Sequence, residues 1–243
     1  MRESESPLIG AGDALFLDFD GTLAPLGPDR EAIRLPEGLD TVLTRLASRL
    51  DGALAVISGR GLADLSARVP AGLWRLGAHG LEVAPPDGPP EPAPAPLPEG
   101  VLAPVARLAG AMPGLVLERK GAVAALHYRA RPDAAARCLA AAREAASRAS
   151  GLKVQPGRMV VEIKPEAADK GRALAAMMAR PGWRGRRPVA VGDDATDEDM
   201  IRAAQMLGGL GIHVGDGDSA ASMRLPDPAA VAALLARAAA KSS

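Results

Sequence analysis

The chain has 243 residues, 48% of them hydrophobic but only 2% aromatic, and its 29 Lys and Arg balance 29 Asp and Glu. That length fits one or two domains whose cores are filled by Leu, Val, Ile and Ala, and the missing basic excess argues against a nucleic-acid partner. The start, Met1 to Gly12, lacks the basic opening and apolar run of a signal peptide, no apolar run approaches the ~20 residues of a membrane span, and the single Cys138 permits no intramolecular disulfide; a cytoplasmic protein with a buried, inert thiol is expected.

The first predicted element is a buried strand, Leu15-Phe16-Leu17, running into Asp18-Phe19-Asp20-Gly21-Thr22. If the extended geometry persists to Asp20, Asp18 and Asp20 share one side while Phe19 turns into the core. Like charges held that close repel unless a cation or a proton lies between them. The same spacing also fits an Asx turn closing a strand. A helix is expected from Pro36 through Leu39, Val42, Leu43, Leu46 and Leu50. A strand over Ala53–Ile57 follows, ending in Ser58-Gly59-Arg60 and a short helix. Continuous apolar strands alternating with helices are the pattern of a parallel sheet covered on both faces. Leu73–Leu76 reads as a third strand, followed by Gly77-Ala78-His79-Gly80-Leu81-Glu82.

From Ala84 to Pro98 eight of fifteen residues are proline, which predicts an extended, semi-rigid connection at a domain boundary. Beyond it the pattern changes to a hairpin of Leu115–Arg119 with Ala122–Arg129 across Lys120-Gly121, a helix over Pro132–Ala149, and a second hairpin of Leu152–Val154 with Met159–Ile163 across Pro156-Gly157. Then the parallel-sheet pattern resumes. Asp169-Lys170-Gly171 opens a helix through Leu174, Met177 and Met178, and Pro188–Val191 is a buried strand ending in Gly192-Asp193-Asp194-Ala195-Thr196-Asp197. A helix to Leu207, a strand Leu210–Val214 and a closing helix Asp227–Ala240 complete the chain. The expected fold class is therefore α/β: a doubly wound, Rossmann-like parallel sheet over residues 1–97 and 165–243, with a small α/β domain of residues 98–164 inserted into it.

In open α/β sheets ligands sit at the carboxyl ends of the strands, and Asp18, Asp20, Ser58, Lys170 and Asp193 all fall there. Asp-Phe-Asp-Gly-Thr at 18–22, the strand-terminal Ser58, Lys170 at a helix start and Gly-Asp-Asp-x-x-Asp at 192–197 resemble, in order and spacing, the four signature motifs of the haloacid dehalogenase superfamily. The resemblance implies a core of that superfamily's kind and magnesium-dependent phosphoryl chemistry. Asp18, Asp20 and Lys170 would be catalytic, with Asp18 attacking phosphorus to form an aspartyl-phosphate and Asp20 serving first as acid, then as base. Ser58 and Lys170, with Thr22, Gly59 and Arg60 around them, would bind the phosphoryl oxygens. Mg2+ would lie on Asp18, Asp20 through its backbone carbonyl, Asp193 and the adjacent Asp194, an oxygen-only set. Asp194 and Asp197 also fit as groups that hold the ligands or cap the next helix, and Thr22 as a residue that orients the loop.

Gly77–Glu82, Glu118-Arg119-Lys120 with His127-Tyr128-Arg129, Val161–Pro165 and Gly192–Asp199 narrow the likeness. They resemble the trehalose-6-phosphate phosphatase family, from about Leu15 to Val214. The resemblance implies hydrolysis of trehalose 6-phosphate to trehalose and phosphate. It also implies that the inserted domain is a cap whose Glu118, Lys120, Arg129 and Glu162, with His79, contact the sugar. A disaccharide offers many hydroxyls and little apolar surface, so discrimination needs positioned donors and acceptors. Glu118 and Lys120 fit equally a solvated pair, Arg129 a partner for the phosphate or a cap carboxylate, and His79 and His127 structural hydrogen bonding. Other readings stay open: a phosphatase of sucrose phosphate, mannosyl-phosphoglycerate or a monosaccharide phosphate, a phosphomannomutase, or a non-catalytic sugar-phosphate sensor. Intact Asp18, Asp20, Lys170 and Asp193 argue against the sensor. A small-molecule substrate is the partner expected, with no nucleic acid, no membrane, and a monomer as the working form.

Overall fold

The computed structural model describes residues 8–240; the expected core-domain ends at 1 and 243, and most of the N-terminal stretch, lie outside the described residues. In chain order the elements are β1 (Asp13–Leu17), α1 (Leu39–Arg49), β2 (Leu54–Ile57), α2 (Leu62–Ser66), β3 (Trp74–Gly77), β4 (Glu82–Ala84), α3 (Glu99–Ala111), β5 (Val116–Lys120) and β6 (Val123–His127). There follow α4 (Ala135–Ala146), β7 (Leu152–Gly157), β8 (Val160–Pro165), α5 (Lys170–Met178), β9 (Arg187–Gly192), α6 (Asp197–Met206), β10 (Leu210–Val214), β11 (Met223–Leu225) and α7 (Pro228–Ala240). Residues up to Pro92 and from Asp169 onward make one compact unit, and Ala93–Ala168 make a second. No helix among the described residues is long and apolar enough to cross a membrane.

The first unit is built on a seven-stranded sheet in the order β11-β10-β9-β1-β2-β3-β4. It is parallel except where β4 pairs antiparallel with β3. β1 lies in the middle with every residue buried, because a parallel sheet covered on both faces leaves no strand face for polar side chains. The chain leaves β1 through β2 and β3 on one flank and returns through β9 on the other. The carboxyl end of β1 is thus the point where the two wings diverge, the place at which such sheets bind ligands. α1 buries one stripe, Leu39, Leu43, Leu46 and Ala47. It starts three residues beyond Pro36 because Gly38 takes a left-handed conformation, φ 76°, ahead of it. β4 and β11, three residues each at the two sheet edges, are too short to show a periodicity and were not expected from the sequence.

Residues 85–98 form neither helix nor strand, yet the first half of this proline-rich stretch is tied down. The Glu91 N–H donates to the Val83 carbonyl at 2.8 Å, and Arg75 donates to the Pro85 carbonyl at 2.8 Å. Both Glu91 carboxylate oxygens accept from Arg180, at 2.6 and 2.8 Å, and the Arg180 guanidinium lies 4.9 Å over the Trp74 ring. Trp74 in turn meets Trp183 edge-on, and Trp183 meets Phe16 of β1.

The second unit is a four-stranded antiparallel sheet, β5-β6-β8-β7. Its apolar face, with Ala124, Leu126, Val161 and Ile163, shares a core with Leu102 and Val105 of α3 and Cys138 and Ala142 of α4. Cys138 is buried and unbridged, and burial pushes its thiol pKa up. α3 was missed from sequence, although Val101, Leu102, Val105 and Leu108 follow helical spacing, because Pro104 lies inside it. Proline cannot donate to the carbonyl four residues back, and Arg148 supplies that bond to Gly100 instead, at 2.9 Å. The second hairpin turns at Arg158-Met159, not at Pro156-Gly157 as expected. Pro156 and Gly157 pair with Val161 and Val160, and Met159 takes the left-handed φ of 60°. Proline is tolerated because β7 is an edge strand.

Candidate active site

β1 stops at Leu17, and the next residue keeps to its neighbour: the Asp18 N–H donates to the Val191 carbonyl of β9 at 3.0 Å. Pairing of these two strands therefore sets Asp18 beside Asp193, just past the end of β9. Gly21 is required here, both for its φ of 86° and because a Cβ would lie 2.2 Å from Asp193 Oδ2. Thr22 Oγ1 donates to Asp193 Oδ1 at 3.3 Å, which makes Thr22 an orienting group for that carboxylate.

Lys170 is the first residue of α5, whose N-cap Asp169 accepts from the Arg172 N–H. Its side chain is 3% exposed, and Nζ donates to Asp18 Oδ1 at 2.6 Å and to Asp197 Oδ1 at 2.5 Å. α5 comes this close to α6 because residue 171 is glycine: a Cβ there would lie 2.4 Å from the Asp199 carbonyl oxygen. Asp197 Oδ2 accepts the N–H groups of Asp193 and Asp194 at 3.0 and 3.1 Å, holding the loop that carries Asp193.

Asp18, Asp193 and Asp197 bring one carboxylate oxygen each to within 4.8 Å of one another. One ammonium answers three carboxylates. Burial, reinforced by the Asp197 charge, holds the Asp18 pKa well above the usual carboxylate range despite Lys170. Burial and the neighbouring carboxylates push Asp193 up to about 7, and burial pushes Asp197 up to about 6. Burial alone would favour neutral Lys170, but Asp18 and Asp197 outweigh it and hold its pKa well above the lysine range. A buried, oxygen-only cluster with this excess of negative charge fits a hard divalent cation such as Mg2+.

The position of that charge sets a pH dependence. A carboxylate whose pKa is higher folded than unfolded supports folding in its protonated form. Its contribution is complete below about pH 4 and is lost as pH rises through 6 to 7. Above that range the repulsion is fully present and a cation has most to relieve. Magnesium is thus expected to raise the melting temperature at pH 8, by the equivalent of ~2.7 kcal/mol at a hundredfold excess over Kd, and far less at pH 5, where protons compete for the same oxygens. Thermal melts with magnesium and with a chelator at both pH values check this; equal shifts would place the ion elsewhere.

Asp20 stands apart from this cluster. Both its oxygens accept from Arg60, Oδ2 from Nε at 2.8 Å and Oδ1 from Nη2 at 2.7 Å. Since β1 ends at Leu17, the two-residue repeat does not carry to Asp20, and the two carboxylates are served by different cations. Arg60, expected among the phosphate ligands, is instead fully engaged within the protein, because its guanidinium is also bonded to Asp64 at 2.7 Å and to the Arg30 carbonyl at 2.8 Å. Ser58, buried at the end of β2, accepts the Arg60 N–H on Oγ at 3.1 Å, which leaves its O–H to donate. Gly59 has no room for a side chain: a Cβ would lie 2.9 Å from His79 Cε1. His79, expected at the sugar, is buried with φ 58° and donates its backbone N–H to the Ser58 carbonyl at 2.9 Å.

Asp194, expected at the metal, is exposed and turned into the start of α6. Its Oδ1 accepts from the Thr196 N–H and hydroxyl at 2.8 and 2.7 Å and from the Asp197 N–H at 3.2 Å. Although the residue as a whole is exposed, its carboxylate is crowded by the head of α6, and that enclosure would raise its pKa; Lys170 and the Thr196 bonds outweigh it and lower the pKa. Asp197, read from sequence as a supporting or capping group, is the third carboxylate of the cluster.

In the second unit, register sets Glu118, Ala125 and Glu162 in one row across β5, β6 and β8. Lys120, His127 and Lys164, two residues along their strands, share that face, which is the one turned away from α3 and α4. Glu118 Oε2 lies 2.9 Å from His127 Nε2 and 3.2 Å from Lys120 Nζ. Glu162 and Lys164 pair at 3.6 Å, and the Lys164 side chain is 1% exposed. Arg129 is exposed in the turn after β6.

Comparison with known proteins gives a consistent result. The family model described as trehalose-phosphatase matches residues 16–229. A probable trehalose-phosphate phosphatase of Sinorhizobium fredii is 41% identical over 83% of this chain and 77% of its own. The trehalose-6-phosphate phosphatase of Escherichia coli is 36% identical over 91% of this chain and 85% of its own. Among solved structures, the C-terminal domain of Candida albicans trehalose-6-phosphate phosphatase superposes with a TM-score of 0.78 at 23% identity, over 94% of this chain and 92% of that one.

Proposed function

The chain belongs to the trehalose-phosphatase family, and from that premise we propose that it hydrolyses trehalose 6-phosphate to trehalose and inorganic phosphate. The observation that carries the mechanism is the division of the β1-end carboxylates between two cations, Lys170 on Asp18 and Arg60 on Asp20. Asp18 is the nucleophile: its carboxylate oxygen bonds to phosphorus as the bond from phosphorus to the sugar oxygen breaks. Asp20 gives its proton to that departing oxygen. The resulting carboxylate then takes a proton from water, whose oxygen bonds to phosphorus as the Asp18–phosphorus bond breaks. Asp18, Asp193 and the Asp20 backbone carbonyl would hold Mg2+, which when bound neutralises phosphoryl charge. Lys170 has three N–H groups and spends two on Asp18 and Asp197, so the third can meet a phosphoryl oxygen, as can the Ser58 hydroxyl.

The inserted unit, with boundaries near residues 98 and 164, acts in this reading as the cap. Glu118, Lys120 and Glu162 lie on one polar sheet face, which supports a role in reading sugar hydroxyls. The cytoplasm is the proposed setting, consistent with the one unbridged cysteine. The test is inorganic phosphate release from a panel of sugar phosphates. A clear preference for trehalose 6-phosphate is expected, and preference for sucrose phosphate or a monosaccharide phosphate would overturn the substrate assignment. Conversion to another phosphosugar without phosphate release would mean a mutase. Glu118→Ala is expected to raise KM for trehalose 6-phosphate by ~10-fold or more, the cost of leaving hydroxyl groups unpaired. KM for p-nitrophenyl phosphate, which has no sugar to lose, is expected to stay unchanged.

A further inference from the structure

We propose that Arg60 is the positioning residue of Asp20, the residue that fixes where the acid–base carboxylate can act. The inference rests on the reading of Asp20 as acid and base given above. Arg60 is itself held from every side. Its side chain is fully buried, its Nη1 is on Asp64, its Nη2 also reaches the Arg30 carbonyl, and its guanidinium lies 5.4 Å over the Phe19 ring. Asp64 is backed in turn by Arg68, at 2.8 Å. The backbone is fixed as well, with the N–H on Ser58 Oγ and the carbonyl accepting from the Ala78 N–H at 2.7 Å.

Such a guanidinium can neither swing to a substrate nor follow a moving partner, so it dictates the position of the carboxylate it grips. Bidentate contact fixes the plane of Asp20 as well as its distance. Each Asp20 oxygen keeps a lone pair after accepting one N–H, so a proton can enter and leave without the grip being broken. Arg60 thus holds the acid–base group on a cation separate from the Lys170 that serves the nucleophile.

The two chemical steps depend differently on Asp20, and this gives the test. Expulsion of a sugar alkoxide needs its proton, expulsion of p-nitrophenolate does not, and hydrolysis of the aspartyl-phosphate needs the base in both cases. For Arg60→Gln, kcat with trehalose 6-phosphate is expected to fall by ~10²-fold with KM within ~3-fold. With p-nitrophenyl phosphate the first turnover should keep its rate while the steady state slows, so that a burst of nitrophenolate appears. Arg60→Lys, which restores charge without the planar fork, should recover only part of kcat. If the first nitrophenolate turnover slows as much as the sugar reaction, or KM rises in place of the fall in kcat, Arg60 binds phosphate or merely supports the fold, and the inference fails. Asp20→Asn is measured alongside. Should it show no difference between the leaving groups, the acid–base reading falls and Arg60's role with it. Should it show the difference while Arg60→Gln does not, only the inference about Arg60 falls. Asp64→Asn, one bond further out, covers the case in which Arg60→Gln does not fold. It should lower kcat ~3–10-fold with the same split between leaving groups, and a uniform loss would overturn the inference.

Discussion

Asp18→Asn is expected to lower phosphate release from trehalose 6-phosphate by roughly 10⁵-fold or more, the scale of loss when a covalent nucleophile is removed. An amide cannot form the phosphoryl bond, and the other carboxylates of the site are engaged elsewhere: Asp20 by Arg60, Asp197 by Lys170 and two backbone N–H groups, and Asp193 by Thr22. The fold should not suffer. Asp18 is buried and its carboxylate is disfavoured by burial and by Asp197, so a neutral group of the same shape removes repulsion while Lys170 keeps Asp197. The expected signature is lost turnover with a melting temperature, measured without magnesium, that is unchanged or higher. Turnover within about tenfold of wild type would remove Asp18 from the role of nucleophile.

Lys170→Met should be costly in both respects. It strands Asp18 and Asp197 as buried carboxylates without their cation, and breaking a buried pair in this way costs ~3–5 kcal/mol. The sign against pH follows from the wild-type shifts. Lys170 has its pKa raised, so its stabilisation is complete below about pH 10 and is lost only as pH rises beyond that. Of the carboxylates it serves, Asp197 gives up its charge as pH falls through about 6, and Asp18, held well above the usual carboxylate range by burial and the Asp197 charge, gives up its own well above the pH at which an exposed aspartate would. The penalty of the variant is therefore greatest between pH 8 and 10 and shrinks toward pH 5, and magnesium should recover part of it at pH 8. Activity should fall by ~10²–10³-fold, as when a preorganised donor to a developing charge is removed. Denaturant unfolding at pH 5 and pH 8 decides the stability claim; a penalty independent of pH would mean that Lys170 acts by packing and not by charge.

Much of the site could be read before the fold was known, and the reasons are physical. The strands that carry Asp18, Ser58 and Asp193 are buried on both faces, so they read as unbroken apolar runs with polar residues only at their ends. Lys170 follows an N-cap aspartate, which marks a helix start. What could not be read was pairing across the fold. Arg60 and Asp20 are 40 residues apart in two loops, and neighbouring sequence carries no sign that one holds the other. Asp194 and Asp197 stand in the same acidic run, and the turn at the head of α6 alone decides that the first caps and the second faces Lys170. α3 was hidden by Pro104, and the break it causes is mended by Arg148 from a distant part of the same unit. The turn at Met159 was misplaced because Pro-Gly is the stronger local signal, and an edge strand can carry both residues.

The two-faced sheet of the inserted unit has a consequence for how its gene can change length. Val161 and Ile163 of β8 point into the core beneath α4, while Glu162 and Lys164 between them point the other way. Removing or adding one codon inside β8 would exchange the two sets, carrying Glu162 into the oil and Val161 out of it. The same holds for β5 and β6. Insertions and deletions among homologues should therefore be confined to the turns at Gly121-Ala122 and Arg158-Met159, while the strands tolerate substitution but not a change in length.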